Sequence, residues 1–140
     1  MNKPLVFALD ITSDMKNLEL VANFVMEAAR RAKLTPKQSD DVQMAVDEAV
    51  TNVMEHAYAG KTDGAISITL RADAATFFVE IRDYGKPFDV KKVKKPNTKS
   101  PLSERSIGGL GIFFMKKLMD RVEFSRDQAG NVTRMLKKLK

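Results

Sequence analysis

The sequence predicts a single α/β domain spanning residues 1–140. Two stretches, 18–32 and 36–57, carry apolar residues at helical spacing, which predicts two amphipathic helices. Two shorter runs, 66–70 and 77–81, alternate apolar with other residues on either side of a short turn, which is typical of an antiparallel hairpin. The order of these patterns places helices before and after paired strands, as expected of an α/β protein.

Local signals delimit the two long helices. Thr12 or Ser13 is predicted to cap the first helix. Thr35 is predicted to open the second, with Gln38 completing a capping box, and Gly60 to close it.

Four further elements complete the predicted order of strand, two helices, hairpin, helix and two strands. Apolar alternation predicts a first strand near residues 5–9, a fourth near 122–124 and a last one over 132–139. Between the hairpin and the fourth strand, a glycine-rich run leads into a third helix that reaches residue 119.

Composition excludes several classes of protein. With 44% hydrophobic and 30% charged residues the chain has a globular balance, and without cysteine it has no disulfide and no thiolate metal site. No apolar run approaches the ~18 residues of a membrane span, and no signal peptide opens the chain, so we expect a cytoplasmic protein without membrane contact. The net charge of +6 is not accompanied by aromatics interleaved with basic residues, so we expect no direct nucleic-acid binding. An anionic small ligand or an acidic protein partner accounts for the charge equally well.

The second helix carries a polar line beside its apolar stripe. Glu48, Asn52 and His56 are spaced i, i+4 and i+8 at the edge of the core. One interpretation is a solvated helix flank. In the chemical interpretation, Asn52 is an oxygen ligand for a Mg²⁺ ion that also holds phosphate oxygens, and Glu48 is a proton acceptor. His56 then orients or contacts phosphate, or pairs with Glu55 or the backbone.

Asp83 falls on the apolar face of the third strand, in register with Val79 and Ile81. A carboxylate there requires hydrogen-bond donors. Gly85 follows within a turn that keeps the backbone close to whatever Asp83 binds. The alternative is an aspartate that caps the turn at the end of the strand.

Two features follow Asp83 along the chain. Residues 86–105 contain seven basic and two acidic residues with two proline breaks, which indicates either a basic lid over phosphates, centred on 91–99, or a solvated surface loop. Gly108, Gly109 and Gly111 then open the third helix, where backbone amides and the helix dipole meet anions, although glycines also serve packing.

These motifs, in this order, resemble the N, G1 and G2 boxes of the GHKL ATPase superfamily, which includes gyrase, histidine kinases and MutL. The motifs are Glu48-x-x-x-Asn52-x-x-x-His56-Ala57-Tyr58, Asp83-x-Gly85-x-Pro87-Phe88 and Gly108-Gly109-Leu110-Gly111. The small size and three short sequence motifs are most similar to bacterial anti-sigma factor serine kinases of the RsbW and SpoIIAB type. These motifs are Asp-Glu-Ala-Val-Thr-Asn, His-Ala-Tyr and Gly-Gly-Leu-Gly-Ile.

The resemblance implies roles for particular residues. Asn52 would hold Mg²⁺, Glu48 would be the catalytic base, and Asp83 would accept the amino group of adenine. Either Asn131 or Thr133, which share a strand face, would also lie near the adenine, and Thr133 is the predicted contact. The other predicted contacts of ATP or ADP are His56, Gly85, Pro87, Arg105, Gly108, Gly109, Leu110 and Gly111.

The resemblance also implies an architecture and an activity. The expected fold is a two-layer α/β sandwich of the Bergerat type, with a mixed, mostly antiparallel sheet, helices on one face, and ATP between helices and lid. The expected protein is a homodimeric, Mg²⁺- and ATP-dependent serine/threonine kinase that phosphorylates a small anti-sigma-factor antagonist and sequesters a sigma factor.

Two alternatives remain open at this stage. One is a nucleotide-gated protein-binding module without kinase activity, and the other is a stand-alone histidine-kinase-like ATPase domain. Glu48 favours phosphotransfer, because a binding module needs no base. The only histidine, His56, lies inside the predicted site, so a histidine acceptor would have to lie on another chain.

Overall fold

The computed structural model describes residues 4–87 and 107–140, the latter without the side chains of 107–110. Five strands form one sheet in the order β1-β2-β3-β5-β4, and each described pairing is antiparallel. The elements are β1 (Leu5–Thr12), a 3₁₀ turn (Met15–Asn17), α1 (Leu18–Arg31), α2 (Pro36–Asn52), a π-helical turn (Val53–Ala57), β2 (Ala65–Ala72), β3 (Thr76–Asp83), α3 (Ile107–Leu118), β4 (Arg121–Asp127) and β5 (Gly130–Lys138).

The helices form a second layer on one face of the sheet. Alternate side chains of β2 and β3 are buried and join those of the helices in one apolar cluster. On the other face of the sheet, Glu80 pairs with Arg134 and Arg82 with Asp127. The predicted two-layer α/β class is therefore confirmed, with a sheet that contains no parallel pair among the described strands. No helix within the described ranges is both long and apolar enough to cross a bilayer.

The start of α1 differs from the sequence prediction. The side chain that caps the 3₁₀ turn before it is Asp14, which accepts from Lys16 N at 3.0 Å. Ser13 is buried instead, with its hydroxyl donating to Lys61 O and accepting from Gly64 N. The prediction of Thr12 or Ser13 as the cap was wrong because the Ser13 hydroxyl donates instead to Lys61 O, in a loop 48 residues away.

The predicted capping box of α2 is confirmed. Thr35 Oγ1 accepts from Gln38 N at 3.1 Å, and Gln38 Oε1 accepts from Thr35 N at 2.9 Å. The other end of the helix is less regular than its sequence pattern indicates. After Asn52 the chain widens into the π-helical turn, where Tyr58 N donates to Val53 O at 3.0 Å.

Candidate functional site

The site is built around Asp83, the last residue of β3. Its carboxylate is 2% exposed and lies on the helix side of the sheet, directly across from Asn131 of β5. Oδ1 accepts from Gly85 N at 3.0 Å and from Asn131 Nδ2 at 2.7 Å. Among the described residues nothing donates to Oδ2, so one oxygen of a buried carboxylate is left for a ligand.

A small pocket, with a cavity volume of about 40 Å³ and a mouth open to solvent, lies between Asp83 and α2. Its walls are apolar, with a few polar groups, as is common for small-molecule sites. The apolar walls come from Ala49, Val53, Ala57 and Phe124, and polar groups come from Asn52, Asp83 and Thr133. An apolar cleft with the buried carboxylate of Asp83 in its wall suits a flat heterocycle with an amino group.

The loop after Asp83 is pinned to the end of α2. Lys86 N donates to Ala57 O at 2.8 Å, and a Cβ added to Gly85 would lie 2.3 Å from that same oxygen. Ala57 is the last residue of the π-helical turn, and carbonyl groups at the end of a helix have no partner within it, so this one can accept from the loop. The glycine is thus explained by packing against α2, and its predicted contact with the base stays a prediction.

Tyr58 ties the same loop to the sheet. Its hydroxyl donates to Ala65 O at 2.5 Å and accepts from Tyr84 N at 2.8 Å. The phenol therefore connects the start of β2, the end of α2 and the residue after Asp83.

The second part of the site lies one turn earlier on α2. Asn52 is 8% exposed, and its Nδ2 is buried with no hydrogen-bond partner among the described residues. Glu48 is half-buried, and burial, followed by the charges of Asp47 and Glu55, raises the pKa of its carboxyl group. A raised pKa strengthens a carboxylate as a proton acceptor.

The first turns of α3 lie directly on this polar pair. A Cβ added to Gly111 would be 2.8 Å from Glu48 Oε2 and 3.4 Å from Asn52 Nδ2. The fold therefore brings Gly111 against Glu48 and Asn52, and the predicted contacts of the glycine motif with phosphates stay predictions. Gly108, Gly109 and Leu110 lie in the first turn of α3, where only the backbone is described.

The polar groups of this site suit a Mg²⁺ ion that is coordinated mainly by a bound ligand rather than by protein side chains. The described residues hold no cluster of three or more carboxylate or histidine side chains that would bind a metal by themselves. Mg²⁺ commonly keeps several waters and takes one or two protein oxygens beside the phosphates. Asn52 offers one such oxygen, and its orphaned Nδ2 calls for an acceptor such as a phosphate or water oxygen.

Two predicted contacts lie away from the pocket. His56 is exposed in the π-helical turn that begins at Val53, and it does not line the cleft beside Asp83. Pro87 is exposed at the end of the first described range. Their contacts with nucleotide stay predictions, and Arg105 and the lid over 91–99 lie outside the described residues.

The structure separates the roles of Asn131 and Thr133. Both residues are buried and line the pocket, but the Nδ2 of Asn131 is already engaged with Asp83 and the loop after it. Sequence reasoning missed the bond between Asn131 and Asp83 and the bridge made by Tyr58. The signal for the first was the shared strand face, which becomes specific only once β3 and β5 are known to pair.

Comparison with known proteins finds related sequences. Residues 11–137 match the model of the histidine kinase-like ATPase domain. The chain is 32% identical over 108 residues to the serine-protein kinase RsbW of Listeria innocua, covering 74% of this chain and 69% of that protein. It is 38% identical over 134 residues to the anti-sigma F factor of Clostridium botulinum Eklund 17B, covering 87% of this chain and 92% of that protein.

A solved structure shares the fold. The crystal structure of the RsbU and RsbW domains of Rv1364c from Mycobacterium tuberculosis superposes on 99% of this chain with a TM-score of 0.66. The identity is 15%, and the match covers 33% of that longer chain, so this likeness concerns architecture alone.

Proposed function

The chain belongs to the histidine kinase-like ATPase family, and we propose that it is an anti-sigma factor kinase that transfers the γ-phosphate of ATP to a serine or threonine of an antagonist protein. The enzyme class is protein serine/threonine kinase, since relatives named serine-protein kinase match over most of the chain. One observation carries the proposal: the buried carboxylate of Asp83 and the side chain of Asn52 line one cleft, and Glu48 and Asn52 both lie against Gly111 of α3.

The polar residues at the cleft have different roles in the reaction. Asp83 Oδ2 accepts from the 6-amino group of adenine, and the apolar walls from Ala49 and Val53 cover the ring. The phosphates then extend along α2 towards Asn52 and the first turns of α3, where helix amides favour anions. Asn52 would hold Mg²⁺, which when bound neutralises charge on the phosphate oxygens.

Glu48 supplies the base. The acceptor hydroxyl oxygen forms a bond to the γ-phosphorus, and the bond from that phosphorus to the β–γ bridging oxygen breaks, releasing ADP. The hydroxyl proton passes to the Glu48 carboxylate, whose raised pKa suits this role. The half-buried carboxylate and Asn52 both lie against Gly111, which supports a position of the base beside the phosphate that Asn52 would contact through Mg²⁺.

The protein partners follow from the relatives. The relative named anti-sigma F factor supports a sigma factor as the sequestered partner, and the relative named RsbW supports kinase activity on a regulatory protein. A homodimer and a cytoplasmic location complete the proposal. The second candidate is a nucleotide-gated binding module, which would use the same pocket without needing Glu48.

Glu48→Gln separates the two candidates. Glutamine keeps the shape of the side chain but is a very poor base, so phosphotransfer to the antagonist should fall by about 10²–10⁴-fold while ATP affinity changes little. Calorimetry with Mg²⁺ measures binding, and transfer of labelled γ-phosphate measures turnover. Glu19→Gln, an exposed carboxylate on α1, is the matched control.

Two outcomes would decide against the kinase. Wild-type protein that binds no nucleotide in the presence of Mg²⁺ would remove the basis of the proposal. If the wild-type protein binds ATP but transfers no phosphate, and the Glu48→Gln variant still binds the partner, the protein is the nucleotide-gated binding module.

A further inference from the structure

The side chain of Asn131 contacts more hydrogen-bonding groups than its position in a strand requires. Its Nδ2 lies 2.7 Å from Asp83 Oδ1, 3.0 Å from Lys86 O and 3.2 Å from Gly85 O. Its Oδ1 accepts from Arg126 Nη1 at 3.2 Å. A residue that is 8% exposed thus connects a buried carboxylate to the loop that follows it.

The orientation of this amide is fixed by its neighbours. All three groups around Nδ2 are acceptors, whereas the group at Oδ1, from Arg126, is a donor. A reversed amide would place an oxygen against three oxygens and an NH₂ group against a guanidinium. Asn131 therefore presents only donors to Asp83.

This arrangement determines what Asp83 can offer a ligand. Gly85 N and Asn131 Nδ2 together occupy Oδ1, which acts as an acceptor only. They also fix the rotation of the carboxylate, so that Oδ2 is the oxygen without a donor among the described residues. Gly130 reinforces the position, because its backbone lies so close to Asp83 O that an added Cβ would be 2.3 Å away.

We propose that Asn131 is a specificity-determining positioning residue that makes the pocket select 6-amino purine nucleotides over 6-oxo purine nucleotides. The inference rests on the proposed function, since it takes Asp83 as the partner of the purine edge. A 6-amino group donates to the fixed acceptor, whereas a 6-oxo group places oxygen against oxygen. A carboxylate free to rotate, or to recruit water, would relieve that repulsion and discriminate less.

The test compares ATP with inosine triphosphate, which differs by a 6-oxo group in place of the 6-amino group. Affinities for both are measured by calorimetry in Mg²⁺ for wild type, Asn131→Ala and Asn131→Val. Valine favours strands and lacks a donor, so it serves where alanine fails to fold. Arg126→Ala is the matched control, because it removes the exposed partner of Asn131 and leaves the three acceptors that orient Nδ2.

We expect wild type and Arg126→Ala to share the same preference for ATP. In Asn131→Ala and Asn131→Val the ratio of the two affinities should fall by about tenfold or more, the size of one mispaired buried polar contact. Thermal unfolding in the absence of nucleotide establishes that each variant is folded.

One result would overturn the inference while leaving the proposed function standing. It is an unchanged ratio of the two affinities in a folded Asn131 variant, whether both affinities stay the same or fall together, which would mean a structural role only. Failure of wild type to bind ATP at all is a different result, which refutes the proposed function instead.

Discussion

Replacing Asp83 with asparagine tests the centre of the proposed pocket. The two donors at Oδ1, from Gly85 N and Asn131 Nδ2, can be retained by the oxygen of the new amide. The new NH₂ group then takes the place of Oδ2 and presents a donor to the amino group of adenine. The substitution therefore reverses the polarity of one hydrogen bond and preserves the shape and internal contacts of the side chain.

The expected cost follows from that single mismatch. A buried polar group left unpaired costs about 1–3 kcal/mol, which corresponds to a roughly 5- to 150-fold weaker affinity for ATP. Calorimetric titration with Mg·ATP measures the affinity, and thermal unfolding without nucleotide reports on the fold. Asp127→Asn provides the control, because it makes the same chemical change in a carboxylate that pairs with Arg82 on the opposite face of the sheet.

The refuting result is simple to recognise. If Asp83→Asn binds ATP as wild type does, then Asp83 is a turn residue whose bonds to Gly85 and Asn131 serve folding alone. If Asp127→Asn weakens ATP to the same extent, the loss does not report on the pocket.

Three further outcomes follow from the structure. Burial raises the pKa of the Glu48 carboxyl group in the folded protein, so the protonated carboxyl stabilises the fold at pH values below its unfolded pKa, and this stabilisation is lost as the pH rises through its folded pKa. Glu48→Gln should therefore raise the melting temperature at pH 7, and this gain should vanish towards pH 4. Gly85→Ala should lower the free energy of unfolding by about 1–3 kcal/mol, because the new methyl group collides with Ala57 O, and urea denaturation would measure it. Tyr58→Phe should cost about 1–3 kcal/mol for its two hydrogen bonds and weaken ATP as well, since Tyr84 N loses its acceptor beside the pocket; unchanged unfolding and affinity would contradict this.

Local sequence signals predicted those parts of the fold that depend on neighbours in the chain. The capping box at Thr35 and Gln38 and the order of helices and strands were all confirmed. Each rests on interactions within a few residues or on a repeating apolar pattern, which the sequence displays directly. The cap of the first helix was mispredicted because Ser13 bonds with residues 48 and 51 positions away.

The candidate site divides in the same way. The sequence indicated Glu48 and Asn52 from their helical spacing and Asp83 from its strand register. The structure places Asn52 and Asp83 around one cleft and Glu48 beside Asn52, against Gly111. His56 follows the same helical spacing, yet it is exposed and lies in the π-helical turn. That turn is stabilised in part by Lys86 N at Ala57 O, a contact between distant segments that no helical pattern reveals.

By itself, then, the sequence determined the chemical groups: a carboxylate on an apolar strand face, an amide and a carboxylate one turn apart on a helix, and glycines opening another helix. Only the tertiary structure decided how these groups are used. Asn131 reaches Asp83 across 48 residues because β3 and β5 pair in one register, and Gly111 covers Glu48 because α3 packs on α2. The physical reason is that hydrogen-bond direction and burial, which set polarity and pKa, arise from contacts between segments far apart in the chain.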